Sequence, residues 1–64
     1  MLHICEYLRN CRLAKGLTLE TVAKRAGTTK SQIDKLEKGE RRLTVEWFVR
    51  ICDALEVSPK RFFD

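Results

Sequence analysis

Stop signals set the strongest limit on what this chain can fold into. Gly16, Gly27 and Gly39 close three successive amphipathic stretches, where a helix ends on a residue in the left-handed conformation. Thr18, Thr29 and Thr44 follow as N-caps, and Ser58 stands before Pro59, a cap followed by a first-turn residue. Signals this close together leave room only for short helices, at about 3–15, 19–26, 30–38, 45–55 and 59–63, joined by connections of roughly two to six residues. No segment between them alternates with period two, so no strand is predicted. The expectation is an all-α, compact five-helix bundle.

The apolar residues recur at helical spacing. Ile4, Leu8 and Cys11 share one face of the first helix, Val22, Ala23 and Ala26 of the second, and Ile33 and Leu36 of the third. Val45, Phe48, Ile51, Cys52 and Leu55 line the fourth, and Phe62 and Phe63 return toward the core. With 64 residues, 44% of them hydrophobic and 34% charged, the chain reads as one globular domain over 1–64. A core of that size does not enclose a roomy substrate pocket.

Few chemistries survive this inventory. Cys5, Cys11 and Cys52 form no CxxC pair, and His3 is the single histidine, so no zinc site of the usual tight spacing is on offer. The thiols read as small apolar side chains, with a redox switch as the alternative. His3 reads as a solvated or capping residue. No nucleophile–histidine or paired-carboxylate arrangement is present for catalysis, so the chain is not expected to be an enzyme and no cofactor or metal is expected. No apolar run approaches the roughly 18 residues of a membrane span. The first ten residues, with Glu6 and Arg9, lack the basic start and apolar stretch of a signal peptide, so a cytoplasmic location is expected.

Charge is segregated. Between Lys24 and Arg42 lie seven basic residues (Lys24, Arg25, Lys30, Lys35, Lys38, Arg41, Arg42) and three acidic ones (Asp34, Glu37, Glu40), while the rest of the chain holds six of each sign. The whole net charge of +4 therefore sits in one window. Such a run reads either as a solvated face or as a footprint for a polyanion.

Inside that window, LETVAKRAGTTKSQIDKL (Leu19 to Leu36) is a short helix, a glycine turn and a second short helix. Ala23 falls where two helices cross most closely, and Gly27 can take the positive φ of a sharp turn. With Ile33 and Leu36 inward, helical geometry puts Ser31, Asp34, Lys35 and Lys38 outward, flanked by Lys30 and Gln32, with Thr29 at the helix start. A half-buried helix with a polar, mostly basic outer face suits insertion in a major groove.

These residues resemble the Cro/repressor-type helix-turn-helix family, also called XRE. The likeness runs from about Tyr7 to Phe63. It rests on LRNCRLAKGLT, on LETVAKRAGTT with alanine and glycine four apart, on SQIDKLEKGERRLT, and on VEWFVRICDALEVSPKRFF. The resemblance implies a five-helix domain of the phage-repressor type that binds double-stranded DNA, as a homodimer on a palindromic operator, in a bacterial or phage transcription regulator acting as a repressor. It implies base contacts from Thr29, Lys30, Ser31 and Lys35, with Gln32 and Asp34 beside them, and phosphate contacts from Thr18, Lys38, Arg41 and Arg42. Lys30 fits either role. It also implies a structural salt bridge between Arg12 and Glu37.

This chain departs from its relatives at two positions. Leu19 stands where they carry a phosphate-touching glutamine, which leaves the helix-start amides to serve. Glu56 stands where they carry glycine, and a left-handed conformation there would cost about 1 kcal/mol. Trp47 and Val49, off the inward stripe, are candidate dimer contacts, although Trp47 equally fits a residue covering the edge of a small core. The competing function is an antitoxin-like or coactivator-like protein-interaction module of the same fold.

Overall fold

The computed structural model describes residues 3–62. Helix starts follow the local chemistry of the sequence. The helices are α1 (Ile4–Ala14), α2 (Leu19–Ala26), α3 (Lys30–Lys38) and α4 (Val45–Leu55). Thr18, Thr29 and Thr44 hold extended backbone, and their hydroxyls accept from the amides of Thr21, Gln32 and Trp47 at 3.1, 3.2 and 3.2 Å. His3 caps α1, its Nδ1 accepting from the Cys5 amide at 3.2 Å. A hydroxyl or ring nitrogen at this place satisfies an amide that the helix itself leaves without a partner.

The four helices close on the same bond. A left-handed residue follows directly after α2, α3 and α4 and one residue later, at Gly16, after α1. The next amide reaches back to a carbonyl five residues earlier: Leu17 to Arg12, Thr28 to Ala23, Glu40 to Lys35 and Val57 to Cys52, at 2.9 to 3.1 Å. Glycine occupies the left-handed position three times, with φ of 67°, 71° and 75°. In α4 it is Glu56, at φ 59°. That helix has no basic residue in its own last turn, and the cations come from elsewhere. Arg25 Nη1 donates to the Ala54 carbonyl at 3.2 Å and Lys15 Nζ to the Glu56 carbonyl at 3.4 Å, complementing the negative end of the helix.

The fifth element requires a correction. Pro59–Phe62 is a single 3₁₀ turn, so the described residues contain four α-helices, and among them there is no strand. The Arg61 amide bonds to the Ser58 carbonyl at 3.1 Å, and four residues with a proline at the head cannot build an α-helical ladder. One turn suffices to bring Phe62 edge-on to Tyr7 (ring centroids 5.0 Å apart) and to Phe48 (6.0 Å). Phe63 lies outside the described residues.

The core joins Leu8, Val22, Ala23, Ala26, Ile33, Leu36, Phe48, Ile51, Cys52, Ala54 and Leu55. Both α3 and α4 pack against α1 and α2. Two parts of the expected core are displaced. On α1 the buried residues are Cys5, Leu8 and Arg12, while Ile4 and Cys11 lie half-buried at the margin. Val45 is 80% exposed: as the first residue of α4 it points back past the edge of the core. No helix among the described residues is long and apolar enough to cross a membrane.

Candidate nucleic-acid interface

The turn between α2 and α3 closes on Gly27, whose amide bonds to the Lys24 carbonyl. Ala23, 3% exposed, leaves room for α3 to cross close by. From there α3 buries Ile33, Leu36 and Glu37 and leaves Lys30, Ser31, Lys35 and Lys38 exposed, with Gln32 and Asp34 half-buried at the two flanks. Thr29 and Thr18 are exposed at the starts of α3 and α2, and Arg41 and Arg42 are exposed in the segment after α3. Each capping threonine uses an oxygen lone pair on its own helix and keeps its O–H proton for another acceptor. For Thr18 the Thr21 hydroxyl lies at 2.9 Å.

Arg12 and Glu37 join this helix to α1. The guanidinium meets the carboxylate twice, Nε to Oε2 at 2.8 Å and Nη2 to Oε1 at 3.1 Å, and also donates to the Leu17 carbonyl at 2.9 Å. The side chains are only 10% and 4% exposed. One planar fork thus ties α3 to the closing turn of α1.

Pairing strips the window of much of its acid. Glu37 is neutralised inside, and Asp34 binds Lys38 Nζ at 3.1 Å one turn along α3. Asp34 raises the pKa of the Lys38 ammonium through that hydrogen bond and its charge; Glu40 adds to this, and Arg9 on α1 opposes it. Lys24, Lys30, Lys35, Arg41 and Arg42 are exposed, while Arg25, also exposed, reaches the Ala54 carbonyl of α4. Lys30, Lys35 and Lys38 give α3 a basic outer face.

Leu19 packs half-buried against the core, as an apolar first residue should. Trp47 and Val49 are not brought together: two residues apart, they lie about 200° apart around α4, on opposite flanks of its buried stripe. Trp47 lies against the core with the Arg50 guanidinium 4.9 Å from its ring centre. Val49, 45% exposed, shares its flank with Val45, beside a shallow apolar depression lined by Ile4, Leu43 and Pro59. Sequence reasoning missed Arg9, Asp34's pairing and the capping role of Arg25. Only the Asp34–Lys38 spacing of four was visible as a signal.

A helix-turn-helix domain family matches residues 4–62. The uncharacterized transcriptional regulator in the ATPase CF(0) region of Rhodospirillum rubrum is 36% identical over 61 residues, covering 95% of this chain. This chain spans only 56% of that protein's length. Among solved structures, the restriction-modification controller protein C.AhdI from Aeromonas hydrophila is 32% identical, with a TM-score of 0.85 over 94% of this chain and 87% of that one. The clp gene regulator ClgR from C. glutamicum is 27% identical, with a TM-score of 0.88 over 94% and 78%.

Proposed function

The chain belongs to the helix-turn-helix domain family, in its Cro/repressor (XRE-like) branch, and from that premise we propose that it is a sequence-specific transcription repressor that reads double-stranded DNA with α3. The observation that carries the reading is the division of α3. Ile33, Leu36 and Glu37 are locked inside, while Lys30, Ser31, Lys35 and Lys38 form an exposed, mostly basic face at one side of a tight turn. Thr29, Lys30, Ser31, Gln32 and Lys35 contact base edges; Thr18, Lys38, Arg41 and Arg42 contact phosphate. Residues 1–64 act as one domain in the cytoplasm. The operator is palindromic and the protein binds it as a homodimer, with Val49 and its neighbour Val45 supplying apolar contact and Trp47 kept for the core edge.

The test is selection of bound duplexes from a random pool. Two symmetric half-sites about 34 Å apart are expected, with affinity that falls steeply as salt rises. Recovery of one asymmetric half-site by a monomer would remove the dimer. Binding that is weak, unselective and indifferent to salt would remove the DNA-reading function in favour of a protein-docking module.

A further inference from the structure

Asp34 is the one acidic side chain that α3 leaves outside the core, since its only other acid, Glu37, is consumed by Arg12. Lys38 Nζ lies 3.1 Å from its carboxylate and Lys35 follows it in sequence. An acid on a helix that otherwise presents donors to a polyanion is costly unless it has a task. A carboxylate accepts hydrogen bonds and donates none, so it repels the acceptors of guanine and thymine and the phosphates alike. Cytosine shows the major groove a lone N4 amino donor, whereas adenine sets an N7 acceptor beside its donor. The partner that Asp34 holds in the free protein is loosely held. The side chains are 58% and 38% exposed, and ion pairs at such sites are weak and easily exchanged.

We propose that Asp34 is a specificity-determining residue: at the preferred site its carboxylate exchanges the Lys38 ammonium for the N4 amino group of a cytosine. The freed Lys38 then turns to phosphate. On any other sequence no donor replaces Lys38, which stays on Asp34 and is withheld from the backbone. One side chain thereby adds affinity at the correct site and subtracts it everywhere else. The inference rests on the DNA-reading function proposed above and assigns it a base.

The experiment compares the full chain with Asp34→Ala, Asp34→Asn and Lys38→Ala. Each is put through duplex selection, then through titration of the selected duplex and a scrambled one of equal length over a series of salt concentrations. For the parent, one position per half-site selects cytosine. Asp34→Ala loses that preference by roughly tenfold or more. It also binds the scrambled duplex more tightly, with a log–log salt slope steeper by about 0.9 for each α3 engaged, because Lys38 is released. Asp34→Asn moves the same position toward adenine, which an amide can pair with at N6 and N7; a residue that only braced the helix surface would not do this. Lys38→Ala keeps the cytosine preference. Selection profiles and scrambled-duplex slopes that are unchanged in both Asp34 variants overturn the proposal while leaving the DNA-reading function intact. A parent that selects no sequence at all overturns both.

Discussion

At the scale of single residues, Arg12 and Glu37 are charged groups buried within a largely apolar interior, and each is tolerated because of the other. Removing one leaves the other desolvated and without its partner, which typically costs about 3–5 kcal/mol. Glu37→Ala should therefore lower stability by about that amount, read from urea unfolding, while Arg12→Met with Glu37→Leu should recover much of it. A double variant no more stable than the single one would mean that losing Arg12's bond to the Leu17 carbonyl offsets the relief of its unpaired charge. Cys52 offers a second test. Burial first, and the neighbouring Cys11 second, push its thiol from 9.0 up to about 11. The folded state thus holds a proton that the unfolded state releases, so this stabilisation is complete below about pH 9 and is lost as pH rises through 11. The thermal midpoint should fall across that range, and fall less in Cys52→Ala. Burial raises Cys5 and Tyr7 in the same direction, so part of the slope should persist. Periodicity alone leaves Glu37 as an exposed acid near a helix end; only the resemblance to relatives paired it with Arg12. A bond between side chains 25 residues apart is a tertiary fact, and local spacing does not encode it.

At the scale of elements, what could be read from the sequence was whatever is decided within one turn. Thr18, Thr29 and Thr44 announce helix starts because a cap bonds to an amide only three residues on. The start signal at Ser58 and Pro59 is genuine and predicts a helix over 59–63, but Pro59–Phe62 lacks the length to exceed one turn of 3₁₀. Val45 fits the apolar period of α4 and is nevertheless exposed, because the period does not say where the neighbouring helices stop. The closing turn of α4 gives a prediction at this scale. Glu56 holds a left-handed φ of 59° that the other three helices assign to glycine, and its Cβ carries the strain. Glu56→Gly keeps the backbone bonds of Glu56 to Asp53 and of Val57 to Cys52. It should stabilise the fold by about 1 kcal/mol, less whatever the unfolded chain gains in freedom. The urea midpoint should rise with an unchanged m-value. A fall would mean that the glutamate side chain makes contacts worth more than the strain.

At the scale of the whole molecule, the basic excess of the window is carried by exposed side chains, because the four short helices bury apolar stripes and the Arg12–Glu37 ion pair. α3 is held by α1 and α2 and turns its remaining face outward beside the arginines that follow it. Segregation of charge could be read by counting; which cations stand close enough to cooperate, such as Arg9 and Lys38, required the packing. The proposed division of labour on that face predicts two different signatures of failure. Arg41 and Arg42 follow α3 on an exposed segment, suited to a phosphate backbone that is the same for every sequence. Changing both to alanine should weaken binding to all duplexes alike and flatten the log–log salt dependence by roughly 2 units for each subunit. Lys35 projects from the middle of α3, opposite Ile33 and Leu36, and its ammonium offers only donors, which suit guanine O6 and N7. Lys35→Ala should cost about 1–3 kcal/mol on the preferred duplex, relax selection at one base pair per half-site, and leave scrambled-duplex affinity nearly unchanged. The two variants are measured against all four base pairs at each position, at one salt concentration and then across a salt series. If the arginine variant changes base preference while its slope holds, those arginines read bases. If Lys35→Ala weakens every duplex equally, Lys35 belongs with the phosphate contacts, and base recognition on α3 falls to Lys30, Ser31 and the two flanking residues, Gln32 and Asp34.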